Sequence, residues 1–261
     1  MPGLILVLVL GLCAIHFLRG LLPPATDLEL LFDWGFVPAR WSLAWGYAGP
    51  EAIIAAATSI DGGDADVTAA HLMIAEYVVA QGGASPVTAL SYALLHGSWM
   101  HVVLNCVWLV AFGSPVVRRC GTTRSVILAV LATVGAVAVQ WLSSPLSTQV
   151  VIGASGTVSG FMGAAALFVF RRPERVWDWP AGAQDRRSSL GELVRNRSAL
   201  FFLGSWLVIN LVVGLLSQPL GITEGGVAWQ AHIGGLVTGL LVFRWLDPVS
   251  GTPGQTSSWT A

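Results

Sequence analysis

Six apolar segments dominate the sequence and constrain its fold more than any other feature. Each is about 16 to 20 residues long, and at 1.5 Å per residue a helix of that length approaches the roughly 30 Å hydrocarbon core of a bilayer. The chain is 54% hydrophobic and 10% charged, whereas soluble domains average about 25% charged residues. We therefore predict an all-α, polytopic membrane protein with spans at 4–22, 99–117, 126–142, 155–170, 199–216 and 227–246.

The arginines predict the orientation of these spans. All 13 basic residues are arginine, and most lie between the second and third spans or between the fourth and fifth. The loop before the fourth span carries no charge. Because basic loops stay in the cytoplasm, both termini are predicted to be cytoplasmic. We predict one membrane domain over 1–246, with a long, acidic, tryptophan-bearing first loop (about 23–89) in the outer interface, and a disordered tail over 247–261.

Composition also limits partners and cofactors. The net charge of -1 argues against a nucleic-acid partner. The three cysteines have no metal-site spacing, and no cofactor or metal is expected. The first 22 residues lack a basic n-region, so they are predicted to remain as a span. The arginine-only basic set and the lack of organelle-targeting features favour a bacterial inner membrane. The sequence does not indicate an oligomeric state.

Four polar residues fall at similar depth in different spans. From the arginine borders, Ser155 and His101 lie about 24 to 25 Å above the cytoplasmic edge, Asn105 about 20 Å and His232 about 18 Å. Ionisable residues inside a bilayer are costly and are functional candidates. A histidine can activate a serine hydroxyl, and a helix N-terminus with nearby side-chain donors can stabilise an oxyanion. Because the spans hold no carboxylate at this depth, the pattern predicts a Ser–His dyad.

Two glycine pairs predict how these spans meet. Gly156 and Gly160 are four residues apart, as are Gly235 and Gly239. Small residues at this spacing let membrane helices approach closely. If the fourth and sixth spans pack through these glycines, Ser155 and His232 come within reach of each other.

Three motifs together resemble the rhomboid intramembrane serine proteases. They are His96-Gly-Ser-Trp-Met-His101 with Asn105, Gly153-Ala-Ser155-Gly156, and Ala231-His232-Ile-Gly-Gly235 with Gly239. The resemblance implies that Ser155 is the nucleophile and His232 the general base. It also implies an oxyanion hole formed by His101, Asn105 and the Ser155 N–H, while His96 and Gly153 support the structure. The family cleaves transmembrane segments of other membrane proteins near the outer surface, without a cofactor.

Simpler readings of single residues remain open. Alone, His232 suits a hydrogen-bonded bundle histidine, Asn105 an interhelical contact and Ser155 a helix N-cap. Two other functions are a catalytically inactive relative that binds membrane proteins and a transporter with titrating His101 and His232. Some rhomboids carry an aromatic residue four positions after the nucleophile that packs on the histidine. Here that position is Ser159, so the sequence names no side chain that orients His232.

Overall fold

Helices form nearly all the regular structure in the part of the chain that the structure describes. The computed structural model describes residues 1–59, 65–170, 187–216 and 227–248, and this part of the chain contains no strand. The all-α class predicted from the sequence is therefore confirmed for these residues. The helices are α1 Gly3–Arg19, α2 Pro24–Trp34, α3 Pro38–Ala44, α4 Pro50–Thr58, α5 Ala65–Gln81, α6 Thr88–Ser91, α7 Trp99–Trp108, α8 Ser114–Ser143, α9 Ser155–Val169, α10 Leu190–Leu193, α11 Arg197–Leu216 and α12 Trp229–Leu246.

Each of the six apolar segments contains a helix, but not every one of these helices is long enough to cross a membrane. Among the described residues, two helical stretches are long and apolar enough to cross a membrane, Trp99–Ser143 and Arg197–Leu216. Helices α1 and α9 are apolar but shorter, with 17 and 15 residues. A soluble core helix passes the same test. The count of six spans and their orientation therefore stay predictions.

The boundary between the second and third predicted spans differs from the expected loop. A π-helical turn (Leu109–Gly113) joins α7 to α8, and α8 continues through Arg118, Arg119 and Cys120. The break comes at Gly121, whose φ of 75° and ψ of 173° lie outside helical geometry. Glycine adopts positive φ without the steric cost of a Cβ. The chain thus changes direction at one residue, and Cys120, expected in a loop, is buried.

Helix α9 lies at the centre of the molecule, packed between α8 and α12. Eleven of its 15 residues are buried. A Cβ on Gly235 would collide with the Gly156 carbonyl oxygen, and one on Gly239 with that of Gly160. Backbone therefore meets backbone where α9 and α12 cross. Such an approach has room only for glycine.

Helix α11 is peripheral by comparison. Of its 20 residues, only Ala199 and Asn210 are buried. Asn210 is an amide in an otherwise strongly apolar segment. Burying an amide costs free energy unless its polar atoms form hydrogen bonds.

The long first loop is more helical than expected. The sequence predicts helices over 52–59 and 68–81 in this loop, which correspond to α4 and α5, but it does not predict α2 and α3. Buried Arg40 joins these pieces, since its guanidinium donates to the carbonyls of Phe32 (2.7 Å) and Gly82 (3.2 Å). The arginine thus supplies hydrogen-bond donors to two carbonyl groups at helix ends, which would otherwise lack partners inside the loop.

This loop docks directly on the segment that precedes Ser155. Phe36 and Val151 form an isolated antiparallel bridge, with N–H···O distances of 3.0 and 2.8 Å. The Ser42 hydroxyl donates to the Pro145 carbonyl at 2.6 Å. The first loop therefore fixes the path of the chain as it enters α9.

Two arginine clamps tie distant parts of the chain together. Arg19, at the end of α1, pairs with Asp27 through both carboxylate oxygens (2.8 and 2.9 Å) and donates to the His96 carbonyl at 2.8 Å. Arg119 makes a similar two-pronged pair with Asp247 at 2.9 Å. Asp247 was assigned to the tail, yet its side chain is only 1% exposed. The rest of that tail (249–261) and most of the arginine-rich loop (171–186) lie outside the described residues.

Candidate active site

Ser155 is the first residue of α9, and Ala154 is its N-cap. The turn into the helix depends on Gly153, whose φ of 118° disfavours any residue with a side chain. The Gly153 N–H donates to the Tyr92 carbonyl at 3.0 Å, which anchors the turn. Ser155 therefore presents its hydroxyl from a fixed helix N-terminus, where backbone N–H groups have no intrahelical partner.

The Ser155 hydroxyl faces the imidazole of His232. Oγ and Nε2 are 2.7 Å apart, although the two residues are 77 positions apart in the chain. His232 lies in the first turn of α12, and both residues are partly buried. The distance is that of an O–H···N hydrogen bond, so the proton of the hydroxyl has a direct path to the ring nitrogen.

Asn210 completes the contacts of His232, and the sequence reasoning missed it. Its Oδ1 lies 2.5 Å from His232 Nδ1, and its Nδ2 donates to the Trp229 carbonyl at 3.2 Å. The available signal was the amide in the middle of an apolar span, which rarely occurs without a polar partner. It was overlooked because no motif marks it.

His101 borders the same space as the Ser155 hydroxyl. A Cβ placed on Gly153 would lie 2.7 Å from the His101 Cε1 and Nε2 atoms and 3.8 Å from Ser155 Oγ. Gly153 therefore serves two purposes: it permits the positive φ, and it leaves room for the imidazole beside the serine.

Asn105 lies one turn further along α7 and is buried, at 4% exposure. Its amide Nδ2 donates to the His101 carbonyl at 3.0 Å. Within the described part of the chain, no hydrogen bond joins the Asn105 side chain to Ser155 or His232. A carboxamide nitrogen carries two protons, so a second donor remains on Asn105 Nδ2.

His96 supports the turn from behind. It is fully buried, and its Nε2 accepts the Ala154 N–H at 3.3 Å. Burial, with a smaller effect of His101, lowers the pKa of His96 to about 3. His96 is therefore neutral, and its Nε2 can accept the hydrogen bond. The Arg19 guanidinium binds the His96 carbonyl and holds the same segment in place. The described residues contain no group of three or more histidine, cysteine or carboxylate side chains arranged to hold a metal ion.

Comparison with known proteins agrees with this arrangement. The family model described as the Rhomboid domain matches residues 84–246. That range contains α9, α12 and every residue of the site, and it covers more than half of the chain. The chain therefore belongs to the rhomboid family, and the resemblance stated from its motifs is confirmed.

Individual relatives point the same way. The protein is similar to the "Rhomboid protease GlpG" of Pectobacterium atrosepticum, at 34% identity over 155 residues, covering 59% of this chain and 46% of that protein. The proteins of the same name from Serratia proteamaculans and Yersinia pestis are 32% and 31% identical over 156 residues, covering 60% of this chain and 46% of each. The chain thus spans about half the length of the curated relatives it matches.

Proposed function

We propose that this protein is an intramembrane serine endopeptidase that hydrolyses peptide bonds in or near transmembrane segments of other membrane proteins. The observation that carries the proposal is the 2.7 Å contact between Ser155 Oγ and His232 Nε2. Membership of the rhomboid family and similarity to proteins named rhomboid proteases support it. No cofactor takes part in the proposed reaction.

In this mechanism His232 acts as general base and then as general acid. Nε2 takes the Ser155 proton while Oγ attacks the scissile carbonyl carbon and forms a tetrahedral oxyanion. The imidazolium next gives its proton to the departing amine, so the C–N bond breaks and an ester to Ser155 remains. Water, deprotonated by the same nitrogen, then hydrolyses the ester and restores the serine.

The oxyanion is proposed to be held by His101, Asn105 and the backbone N–H of Ser155. His101 lies beside the serine, and the Ser155 N–H belongs to the unpaired first turn of α9. Asn105 would contribute its remaining amide proton while the other stays on the His101 carbonyl. Each preorganised donor of this kind is worth about 10² to 10³ in rate.

The membrane setting of the site is part of the proposal. We propose a single membrane domain with six spans, both termini in the cytoplasm and the site opening toward the outer side of a bacterial inner membrane. The partners are the lipid bilayer and transmembrane protein substrates. The first loop, docked on the segment before Ser155, lies in the outer interface in this arrangement.

A fluorophosphonate probe tests the proposed function directly. It reacts only with a serine whose hydroxyl is activated, so wild-type protein in detergent or liposomes should be labelled. Ser155→Ala and His232→Ala should both lose at least about 90% of the label, because each removes one half of the proton-transfer pair.

A matched control for this labelling is Ser98→Ala. Ser98 caps α7 by accepting a hydrogen bond from the His101 N–H and takes no part in the proton transfer between Ser155 and His232, so this variant should still be labelled. Folded wild-type protein that never reacts would instead favour an inactive relative that binds membrane proteins. Solute flux that needs His232 but not Ser155 would favour the transporter.

The rate of cleavage should also fall once the pH is low enough to protonate His232, in a titration taken from about pH 8 down to about pH 4. Protonated His232 has no lone pair at Nε2 and cannot accept the serine proton. The measurement is kcat for cleavage of a single-span reporter in liposomes, under conditions in which the chemical step is shown to limit the rate. A flat profile over that range would exclude His232 as the base.

A further inference from the structure

We propose that Asn210 is the positioning residue of His232, so that the working unit is Ser155–His232–Asn210. This inference rests on the proposed function. Asn210 belongs to α11, which the sequence motifs leave without a role. Its amide oxygen is 2.5 Å from Nδ1, on the side of the ring opposite the serine.

The second hydrogen bond of Asn210 determines which way its amide faces. The Trp229 carbonyl can only accept, so the group 3.2 Å from it must be the amide NH2. That places Oδ1 toward His232. An amide oxygen also only accepts, so Nδ1 of His232 must carry the ring proton.

This assignment fixes the tautomer that catalysis needs. A neutral imidazole has one N–H and one lone pair, and with the proton on Nδ1 the lone pair lies on Nε2. Nε2 is the atom that faces Ser155 Oγ. Without Asn210 the ring is free to rotate or to carry its proton on Nε2 instead. A ring protonated on Nε2 has no lone pair facing Ser155 and cannot accept the serine proton.

The surroundings make Asn210 well suited to this task. It is 8% exposed, so competition from water is small. Helices α11 and α12 also touch closely at this level, since a Cβ on Gly214 would lie 2.5 Å from the Trp229 ring. The carbonyl that orients the amide thus comes from the same residue that packs α12 against α11.

Among the described residues, few side chains face His232 or act on its charge. Ser155 faces it from α9, Asn210 from α11, and His101 on α7 acts on it electrostatically. Neither serine nor asparagine carries charge, so within the described part of the chain the imidazolium formed during attack is stabilised by a dipole rather than by an anion. Replacing that dipole by a carboxylate should stabilise the protonated ring.

Two substitutions at Asn210 and one control test the assignment. Asn210→Leu keeps the branched shape of the side chain and removes both hydrogen bonds. The kcat for a single-span reporter in liposomes should then fall about 10- to 100-fold, as expected for a misplaced catalytic group, with KM within a factor of about two. Asn210→Asp keeps an acceptor at Nδ1, so it should recover most of kcat and move the acid limb of the pH profile to higher pH. Ser205→Ala, on the surface groove of α11, should match the wild type.

The outcomes separate this inference from the proposed function. If wild-type cleavage requires Ser155 and His232 but Asn210→Leu retains the wild-type kcat and pH profile, the positioning role is wrong and the protease proposal stands. Folded Asn210→Asp could instead lose as much kcat as Asn210→Leu, with the acid limb of its pH profile unchanged. An acceptor facing Nδ1 would then not position His232, and the proposed role of Asn210 would be wrong. If wild-type protein shows no Ser155-dependent cleavage, the protease proposal itself fails.

Discussion

Replacing Ser155 by alanine is expected to lower kcat for cleavage of a single-span reporter by at least about 10⁴-fold, with the protein still folded. The variant lacks the oxygen that lies 2.7 Å from His232 Nε2 and would form the ester. Stability should change little, because the hydroxyl is partly exposed and does not cap α9. The measurement is reporter cleavage in liposomes, followed by gel and mass spectrometry, beside a thermal unfolding curve.

Ser159→Ala is the matched control for that experiment. Ser159 lies one turn further along the same helix and donates to the Ser155 carbonyl at 2.7 Å. The variant loses a buried hydroxyl of the same kind but leaves the proposed nucleophile in place. It should keep kcat within a few-fold of wild type. Undiminished cleavage by folded Ser155→Ala would end the proposal of a serine nucleophile.

Gly235→Ala is expected to have the second-largest effect, on both stability and activity. The added Cβ would overlap the carbonyl oxygen of Gly156, and neither backbone can move without separating α9 from α12. Overpacking of this kind costs about 1 to 3 kcal/mol, and more where rigid backbone is the obstacle. Because these two helices carry Ser155 and His232, their separation should also lower cleavage by about 10²-fold.

The matched control is Gly11→Ala in α1, where a Cβ meets nothing within 4 Å. Alanine favours a helix over glycine by about 1 kcal/mol, so this variant should be as stable as wild type or slightly more stable. Thermal unfolding and reporter cleavage should be measured on both variants at the same lipid-to-protein ratio. Equal melting temperatures for Gly235→Ala and wild type would contradict the close packing of α9 and α12.

Local features of the helices followed closely from the sequence. The fourth apolar segment was expected to begin at Ser155, and α9 begins there because an uncharged, glycine-containing loop meets a continuous apolar run. The positions of α4 and α5 were also indicated by local pattern. Helices α2 and α3 were not, because each is short and mixes polar with aromatic residues. In the fold, Arg40 donates to the Phe32 carbonyl of α2, and the Ala39 N–H of α3 donates to the Ser147 carbonyl.

Site contacts across the fold were harder to foresee. That His101 and Asn105 share a face of α7 follows from their spacing, but the engagement of the Asn105 amide with the His101 carbonyl does not. Asn210 shows the same limit more clearly, since its partner lies 22 residues away on another helix. A lone amide in an apolar span indicates that a polar partner exists, but the pattern along one helix does not name that partner.

By itself, the sequence determined the helical class, the start of α9 and the glycine faces, because these depend on hydrophobic runs and on residue size at helical spacing. Only the tertiary structure decided that Ser155 Oγ meets His232 Nε2, and that Asn210 holds the other ring nitrogen. Those contacts depend on how α9, α11 and α12 are rotated and how deeply they interpenetrate. The rotation and the separation of these helices are set by the packing of side chains between them. That packing cannot be derived from the sequence of any one helix.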